Sequence, residues 1–223
     1  MYWPWSKAAA VYLSNTQCAV RRGSHLQGTN VLTLSDALSW CAQALNAQGR
    51  ACTFYVGADL LQATLIEADA GARNVAGASA LAQHRLGLSA QWSMHCTWVD
   101  PRIGALAVAL PYELLEALRA LAQRTGIQQP SVQPAFLTAL RAAPSITGPW
   151  ATIIAEPGAL VTLEGQGHRQ HLGLQTVAAM HEALPREQAR ARYAGGEQCT
   201  LHTYRLDPQM LNTTGPHFVL EDA

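Results

Sequence analysis

Charge is the scarcest property of this 223-residue chain. Asp, Glu, Lys and Arg together make up 13% of it, roughly half the usual share of a soluble domain. Lys7 is the sole lysine among the 15 basic residues, and 15 acidic residues bring the formal net charge to zero. A balanced chain with a pI of about 7.1 lacks the basic footprint that phosphate backbones demand, which argues against a nucleic-acid partner. Long apolar runs are missing too. The longest, such as Ile103 to Leu110, fall far short of the roughly 20 residues of a membrane span. The first residues, Met1-Tyr2-Trp3-Pro4-Trp5-Ser6-Lys7, are aromatic where an export signal would be basic and then apolar. Ala8 to Leu13 is short and runs into polar Ser14-Asn15-Thr16, so no export signal is expected. Cysteine pairs are absent: Cys18, Cys41, Cys52, Cys96 and Cys199 are odd in number and scattered singly, without a Cys-x-x-Cys motif. That usage suits reduced thiols in the cytoplasm. A peripheral position at the inner membrane is compatible with a chain that zero net charge neither steers there nor repels.

What the chain does have is apolar surface. Hydrophobic residues make up 49%, too many for a disordered chain. At this length folding buries about 70% or more of the unfolded surface, enough for one or two real cores. The periodicity predicts strands at Ala8–Leu13, Gln17–Arg21 and Val31–Leu34, with a hairpin turn at Ser14-Asn15-Thr16. A helix follows, capped by Ser35 or Asp36, with Leu38, Cys41, Ala42 and Leu45 on one face and Gly49 at its end. Ala51–Val56 is almost wholly apolar, as a buried strand requires.

After a helical stretch ending near Leu86, Gln91–Val99 alternates Trp92, Met94, Cys96 and Trp98 on one face. Asp100-Pro101-Arg102 turns the chain into a second strand, Ile103–Leu110. Pro111 opens the helix Tyr112–Arg124, where its missing donor costs nothing; Leu114, Leu115, Leu118 and Leu121 form its stripe and Gly126 closes it. Ser131-Val132-Gln133 is a short strand, and Pro134 begins a helix that ends by Pro144. Pro, Ser and Gly cluster at Pro144 to Pro149 and mark a boundary. Beyond it strands are expected at Trp150–Ala155, Ala159–Leu163 and His168–Leu172, with turns at Glu156-Pro157-Gly158 and Gly165-Gln166-Gly167. A helix at Gln175–Leu184 with a polar extension Pro185–Arg192, a strand Cys199–Arg205 and an edge Phe218–Leu220 complete the pattern. Three strands followed by a helix thus occur twice, without sequence identity between the copies.

The order of W-S-M-H-C-T-W-V-D at 92–100, A-L-A-V-A-L-P-Y-E-L-L-E-A-L at 105–118, Gly126-Ile127 and S-V-Q-P-A-F at 131–136 resembles the actin-like cytoplasmic domains of type II secretion protein L and type IV pilus assembly protein M. Val11-Tyr12-Leu13 and Cys18 to Gly23 suit their opening hairpin, and the likeness spans most of residues 8–172. The resemblance implies an α/β fold of two ribonuclease-H-like (actin-like) subdomains with mixed sheets flanked by helices. The first would cover 1–146, with an inserted strand-helix segment, and the second 147–223. It implies a scaffold on the cytoplasmic side of a secretion or pilus machine. Its partners would be a cytoplasmic peptide of an inner-membrane platform protein, or the motor ATPase, and a homodimer is compatible with that role. Protein L carries a membrane span after this domain, and this chain ends without one at Ala223, which points to a stand-alone M-like member or a truncated form.

An actin-like ATPase holds phosphate and Mg²⁺ between two β-hairpins, with an aspartate and glycines that let the backbone approach the oxygens. The first-hairpin counterpart is taken as Ser6-Lys7-Ala8-Ala9-Ala10, which has neither aspartate nor glycine. The second is Glu156-Pro157-Gly158, where Glu156 could reach a metal through water but Pro157 removes a donor. Gly195-Gly196 stands where such proteins cradle adenosine, although a plain loop is the favoured reading. No Gly-x-x-x-x-Gly-Lys-Ser/Thr motif exists. ATP hydrolysis is therefore not expected. Glu156, Gly158, Gly195 and Gly196 are kept as candidate contacts for ATP and Mg²⁺ in an alternative reading, a nucleotide-binding member of the same superfamily.

His168-x-x-His171 with His181 could suggest a metal, but residues three apart on a strand face opposite sides, so histidines at a polar edge are favoured. His95-Cys96 and Cys199 with His202 could suggest a thiol hydrolase, yet neither spacing lets the histidine activate the thiol. Cys96 belongs on the core face with Trp92, Met94 and Trp98. Trp3 and Trp5 are expected to pack on the first sheet in preference to anchoring a partner. Arg21-Arg22 and Arg186 to Arg192 are read as solvated faces, the second with Glu187 close enough for helical ion pairs.

Overall fold

A computed structural model of the chain describes residues 8–45, 51–67, 74–100, 104–142, 148–166, 169–196, 199–206, 211, 216 and 218–221. Trp3, Trp5, Lys7, Gly49, Pro101 to Ile103, Pro144, Gly167 and His168 lie outside the described residues. In chain order the first elements are β1 (Ala8–Leu13), β2 (Gln17–Arg22), β3 (His25–Asn30), α1 (Leu34–Leu45) and β4 (Ala51–Val56). A 3₁₀ turn (Ala58–Leu60), β5 (Gln62–Ile66), α2 (Val75–Leu86), β6 (Trp92–Asp100), β7 (Gly104–Pro111) and α3 (Tyr112–Arg124) follow. Next come β8 (Gln129–Pro134), α4 (Leu137–Ala142), β9 (Trp150–Glu156), β10 (Ala159–Gln166) and β11 (Arg169–Thr176). The chain closes with α5 (Met180–Gly195), β12 (Thr200–Leu206) and β13 (Phe218–Glu221).

Two five-stranded sheets repeat one plan. The first has the order β3-β2-β1-β4-β8 and the second β11-β10-β9-β12-β13. In each, three strands form an antiparallel meander, and a helix carries the chain across to a strand parallel to the first, β4 beside β1 and β12 beside β9. The sequence echo is thus an architectural repeat. A third sheet, β5-β7-β6, is inserted between β4 and β8 and is wholly antiparallel. The first two sheets mix parallel and antiparallel pairings and are flanked by helices.

Local chemistry explains most boundaries and several departures from the sequence reading. The third strand is His25–Asn30, not Val31–Leu34. Its polar, largely exposed residues carry no apolar alternation: as an edge strand it pairs with β2 only, and Leu26 is the side chain that packs on a buried cluster. The cap of α1 is Thr33, not Ser35 or Asp36. Its Oγ1 accepts the Asp36 N–H at 3.1 Å and donates to Asp36 Oδ2 at 2.7 Å, so the cap satisfies one orphan amide and holds a carboxylate at the positive pole of the helix. At the other end Arg22 Nη1 donates to the Ala44 and Leu45 carbonyls at 3.2 and 2.8 Å, which satisfies orphan acceptors at the negative pole of the helix. Arg21 donates to the Leu211 carbonyl at 2.8 Å. These arginines tie strands to neighbouring segments and are not a merely solvated face.

The strand expected from 168 to 172 runs on to Thr176, so the helix expected from Gln175 starts only at Met180 and continues through the polar extension to Gly195. Pro185 lies inside that helix, where the lost donor and ring clash normally cost about 3 kcal/mol. Leu184 and Ala191 bury the helix on the second sheet, and this packing holds it through the proline. Glu182–Arg186 and Glu187–Arg190 pair along the surface, and Arg190 also meets Glu164 on β10.

The core is continuous between the sheets. Val11, Leu13, Phe54 and Val56 of the first sheet belong to the same buried cluster as Ile154, Val161 and Leu163 of the second. Ala151, Ile153 and Ala155 face the other way, toward α5. Alternation along β9 therefore sends Ile154 and Glu156 to the face shared with the first sheet. No helix among the described residues is long and apolar enough to cross a membrane.

Because one core serves both sheets, Phe54→Ala is expected to cost about 3–5 kcal/mol and Ile154→Ala about 2–5 kcal/mol. Urea unfolding followed by tryptophan fluorescence and by circular dichroism should give one coincident transition in each variant. Two separated transitions would show that the sheets are independent.

Candidate functional site

Three polar turns meet where the parallel strands end. Ser14-Asn15-Thr16 follows β1, Gly57-Ala58-Asp59 follows β4, and Glu156-Pro157-Gly158 follows β9. The carboxyl ends of parallel strands are where α/β sheets place their ligand sites. The turn facing Glu156 is therefore Ser14-Asn15-Thr16, which corrects the assignment to Ser6–Ala10. Ala8 to Ala10 lie within β1, in the pairing ladder with β2 and β4, and residues 6 and 7 are outside the described set. Ser14 builds its turn by donating to the Gln17 carbonyl and accepting the Gln17 N–H, both at 3.0 Å.

Glu156 is 1% exposed, and its Oε2 accepts the Ala58 N–H at 2.8 Å across the seam between the sheets. Asp59 Oδ2 accepts the Asn15 N–H at 2.7 Å, and Asn15 Nδ2 donates to the Asp59 carbonyl at 3.3 Å. Three buried oxygens in this knot have no hydrogen-bond partner: Tyr12 Oη, Asp59 Oδ1 and Glu156 Oε1. Burial pushes the Glu156 carboxyl up to about 8, against the pull of the Ala58 amide and with a further push from Asp59. Burial also raises Asp59, opposed by the Asn15 amide. Tyr12 is raised well above an ordinary phenol by burial, then by the nearby Glu156 and Asp59.

Glycine lets these turns touch. A Cβ on Gly57 would lie 2.8 Å from Asp59 Oδ1, 3.0 Å from Ser14 Cβ and 3.1 Å from Tyr12 Oη. Gly158 has φ +81°, and a Cβ there would stand 3.3 Å from Asp59 Oδ2 and 3.6 Å from Thr16 Oγ1. With Pro157 before it, Gly158 completes a two-residue turn of the kind that needs positive φ at its second position. So Glu156 and Gly158 are brought together, but on Asp59, Asn15 and Thr16. Gly195 ends α5, and a Cβ there would collide with Cys199. Its small size serves close packing of the chain on itself. Gly196 is the residue that follows the helix.

A phosphate group does not fit this knot. Backbone amides that could receive it, at Ala58 and Asn15, are already bonded to the chain's own carboxylates. An incoming anion would also face the Asp59 carboxylate, and like charges repel strongly in a buried site. The Glu156 and Asp59 carboxyls therefore hold the amides that an anion would need. Sequence reasoning singled out Glu156 and Gly158 but missed Tyr12, Asn15 and Asp59. The signal was available: polar residues directly after two apolar strands.

The remaining candidates lie elsewhere. Cys96 is buried with Ile66, Ala78, Ala82, Ala105 and Ala107, and Met94 packs on the same cluster, as the alternation of β6 requires. His171 and His181 are exposed. Among the described residues no group of three or more His, Cys, Asp or Glu side chains is placed to hold a metal ion.

A second feature is a groove of about 280 Å³ between the inserted sheet and the edge of the first sheet. Its floor is Leu106, Val108 and Leu110 of β7 with Leu115 of α3; Ser93, His95 and Thr97 of β6 form one wall. Val132, Gln133 and Pro134 of β8 form the other, with Leu137 and Arg141 of α4 at its rim. The inserted sheet is thus two-faced, with alanines packed on α2 and larger side chains lining the groove. β8 is the last strand of its sheet, and its prolines at 130 and 134 suit an edge.

No family model matches the chain, and no curated protein matches it in sequence. Solved structures do. A Bacteroides thetaiotaomicron protein with an actin-like ATPase fold and unknown function superposes with a TM-score of 0.63 at 8% identity, covering 89% of this chain and 81% of that one. The cytoplasmic domain of EpsL, an inner-membrane component of the type II secretion system of Vibrio cholerae, gives 0.53 at 16% identity, covering 89% and 82%. A chain of the PilM–PilN type IV pilus biogenesis complex gives 0.53 at 13% identity, covering 86% and 69%. The fold is actin-like, as the sequence resemblance implied.

Gly57→Ala is expected to destabilise the protein by about 1–3 kcal/mol, because the added methyl overpacks a knot already tied by hydrogen bonds. Gly158→Ala should cost about 1–2 kcal/mol from the left-handed backbone. Chemical denaturation of the two variants beside the parent checks both.

Proposed function

We propose that this chain is a non-enzymatic adaptor of a type IV pilus or type II secretion inner-membrane assembly platform. It works on the cytoplasmic side, peripheral to the membrane, and binds an extended cytoplasmic peptide of a platform protein in the groove between β6–β7 and β8. The observation that carries this reading is the contrast between the two clefts of an actin-like fold. The one that would take a nucleotide is tied shut by Glu156 and Asp59, while the groove beside an edge strand is open. An edge strand offers main-chain donors and acceptors to an added strand, and alternate pockets select its side chains. An apolar floor under polar walls suits a peptide that alternates apolar and polar residues, with Arg141 available to an acidic group. The PilM neighbour is itself seen in a complex with PilN, which supports a membrane-protein peptide over the motor ATPase as the occupant. Residues 1–146 and 147–223 are the two subdomains of this reading, joined near Pro149. A nucleotide-binding role finds no support in a site whose amides are spent on the chain's own acids.

Two measurements test the proposal. Millimolar ATP with Mg²⁺ should leave the melting temperature unchanged, whereas a ligand at a hundred times its Kd would add about 2.7 kcal/mol and raise it by several degrees. Fluorescence anisotropy with labelled cytoplasmic peptides of platform proteins should show saturable binding that Val132→Arg abolishes, with circular dichroism showing that the variant is folded at the assay temperature. Binding that survives Val132→Arg would place the partner elsewhere, and no binding by any platform peptide would sink the adaptor reading.

A further inference from the structure

The knot at the seam holds more acid than it neutralises. Glu156 brings one carboxyl from β9, Asp59 a second from the 3₁₀ turn, and Tyr12 a phenol from β1. The turn after β1 adds only the neutral Ser14, Asn15 and Thr16, and the segment before α4 adds the Phe136 backbone amide. The titratable groups acting on Glu156 are thus Asp59 and Tyr12, both acids. One Glu156 oxygen is satisfied by Ala58. The other Glu156 oxygen, Oε1, is buried and closes no full hydrogen bond, with only the pull of the Phe136 amide on the carboxyl, and Asp59 Oδ1 and Tyr12 Oη are unpaired around the Gly57 turn. A buried unpaired acceptor is costly, and two neighbouring carboxyls that each leave one oxygen unpaired are costlier still when both are charged. A proton on Glu156 changes the arithmetic, because it removes the buried charge that desolvation and the neighbouring Asp59 both oppose.

We propose that Glu156 is a proton-loaded pin that holds the two sheets together, so that the cleft opens only as Glu156 releases one proton to solvent. The closed form carries the carboxylic acid. The open form carries the hydrated carboxylate, and the proton passes to water or buffer base. The chain would then be tightest in acid and would loosen as the pH rises, with no ligand in the cleft.

The sign and the window follow from linkage. Glu156 titrates at about 8 when closed against an ordinary 4.5. Between these limits the closed form holds a proton that the open form has lost, so the opening constant rises about tenfold per pH unit. Above pH 8 both forms are ionised and the dependence levels off; below 4.5 both are protonated. Between pH 6 and 8 the rise is on the order of fiftyfold.

Hydrogen exchange at the Ala58 amide reads the opening directly, after correction for its intrinsic rate at each pH. Protection in the parent should fall about fiftyfold from pH 6 to 8. In Glu156→Gln, which keeps an acceptor for Ala58 and cannot ionise, it should stay flat. Equal slopes in the two proteins, or no slope in the parent, would overturn the proposal. The carboxyl carbon of Glu156, followed by NMR in the unmodified protein, supplies a test that needs no variant. A midpoint near 8 is expected, and a midpoint near 4.5 would also overturn it.

Discussion

One hydrogen bond, from the Ala58 amide to the buried Glu156 carboxyl, decides the character of the central cleft. It joins the end of β9 to the turn after β4, and so one sheet to the other. Much around it follows from the need to let these groups meet. Gly57 is bare because Asp59, Ser14 and Tyr12 crowd its face, and Gly158 is bare because Asp59 and Thr16 crowd the other. Asp59 takes the Asn15 amide in the same way that Glu156 takes that of Ala58. Two backbone donors at the ends of parallel strands are thereby spent on internal acids. A fold whose neighbours are described as actin-like keeps its cleft geometry but fills it from within.

The duplicated sheet explains why this meeting point exists. Each meander ends its first strand at the seam, and the order of strands is the same in both sheets. Glu156 and Ile154 share a face of β9, so the residue that pins the cleft is anchored by the common hydrophobic core. The inserted sheet follows a different logic. Its alanine face packs on α2 while its larger side chains line an open groove beside β8. Apolar surface beside a free strand edge is normally a liability that proteins cover or blunt. Here the prolines of β8 blunt it only in part.

How much was legible in advance depended on whether an element speaks through local chemistry. Helix α3 was readable to the residue, because Pro111 starts it and a leucine stripe runs along one face. The strands β1, β4, β7 and β9 were readable from apolar content. β3 and β5 were not: β3 is a polar edge, and β5 is short and joins its neighbour from forty residues away in sequence. That separation, from 39 residues between Ile66 and Ala105 to 47 between Gln62 and Ala109, leaves no local signal. Thr33 was missed as a cap because Ser35 and Asp36 within the next three positions could also have served, and the start of α5 was placed too early because β11 runs on through Gln175 and Thr176. Cys96 was placed on the core face of its strand from alternation alone, and it packs there with Ile66 and Ala107.

The amino-acid sequence by itself determined the class: apolar content and alternation specify mixed sheets with flanking helices, and the absence of a phosphate loop or clustered base was visible without coordinates. Even Glu156 and Gly158 could be named from the turn they form. Only the tertiary structure decided what they do. Their partners Asn15, Asp59 and Tyr12 lie roughly 100 to 140 residues earlier in the chain, and their bonding depends on two turns facing each other across a seam. Burial and hydrogen bonding are set by what surrounds a group in space. A glutamate in a sequence is therefore an anion by default, and it takes a closed core to make one an acid near neutral pH.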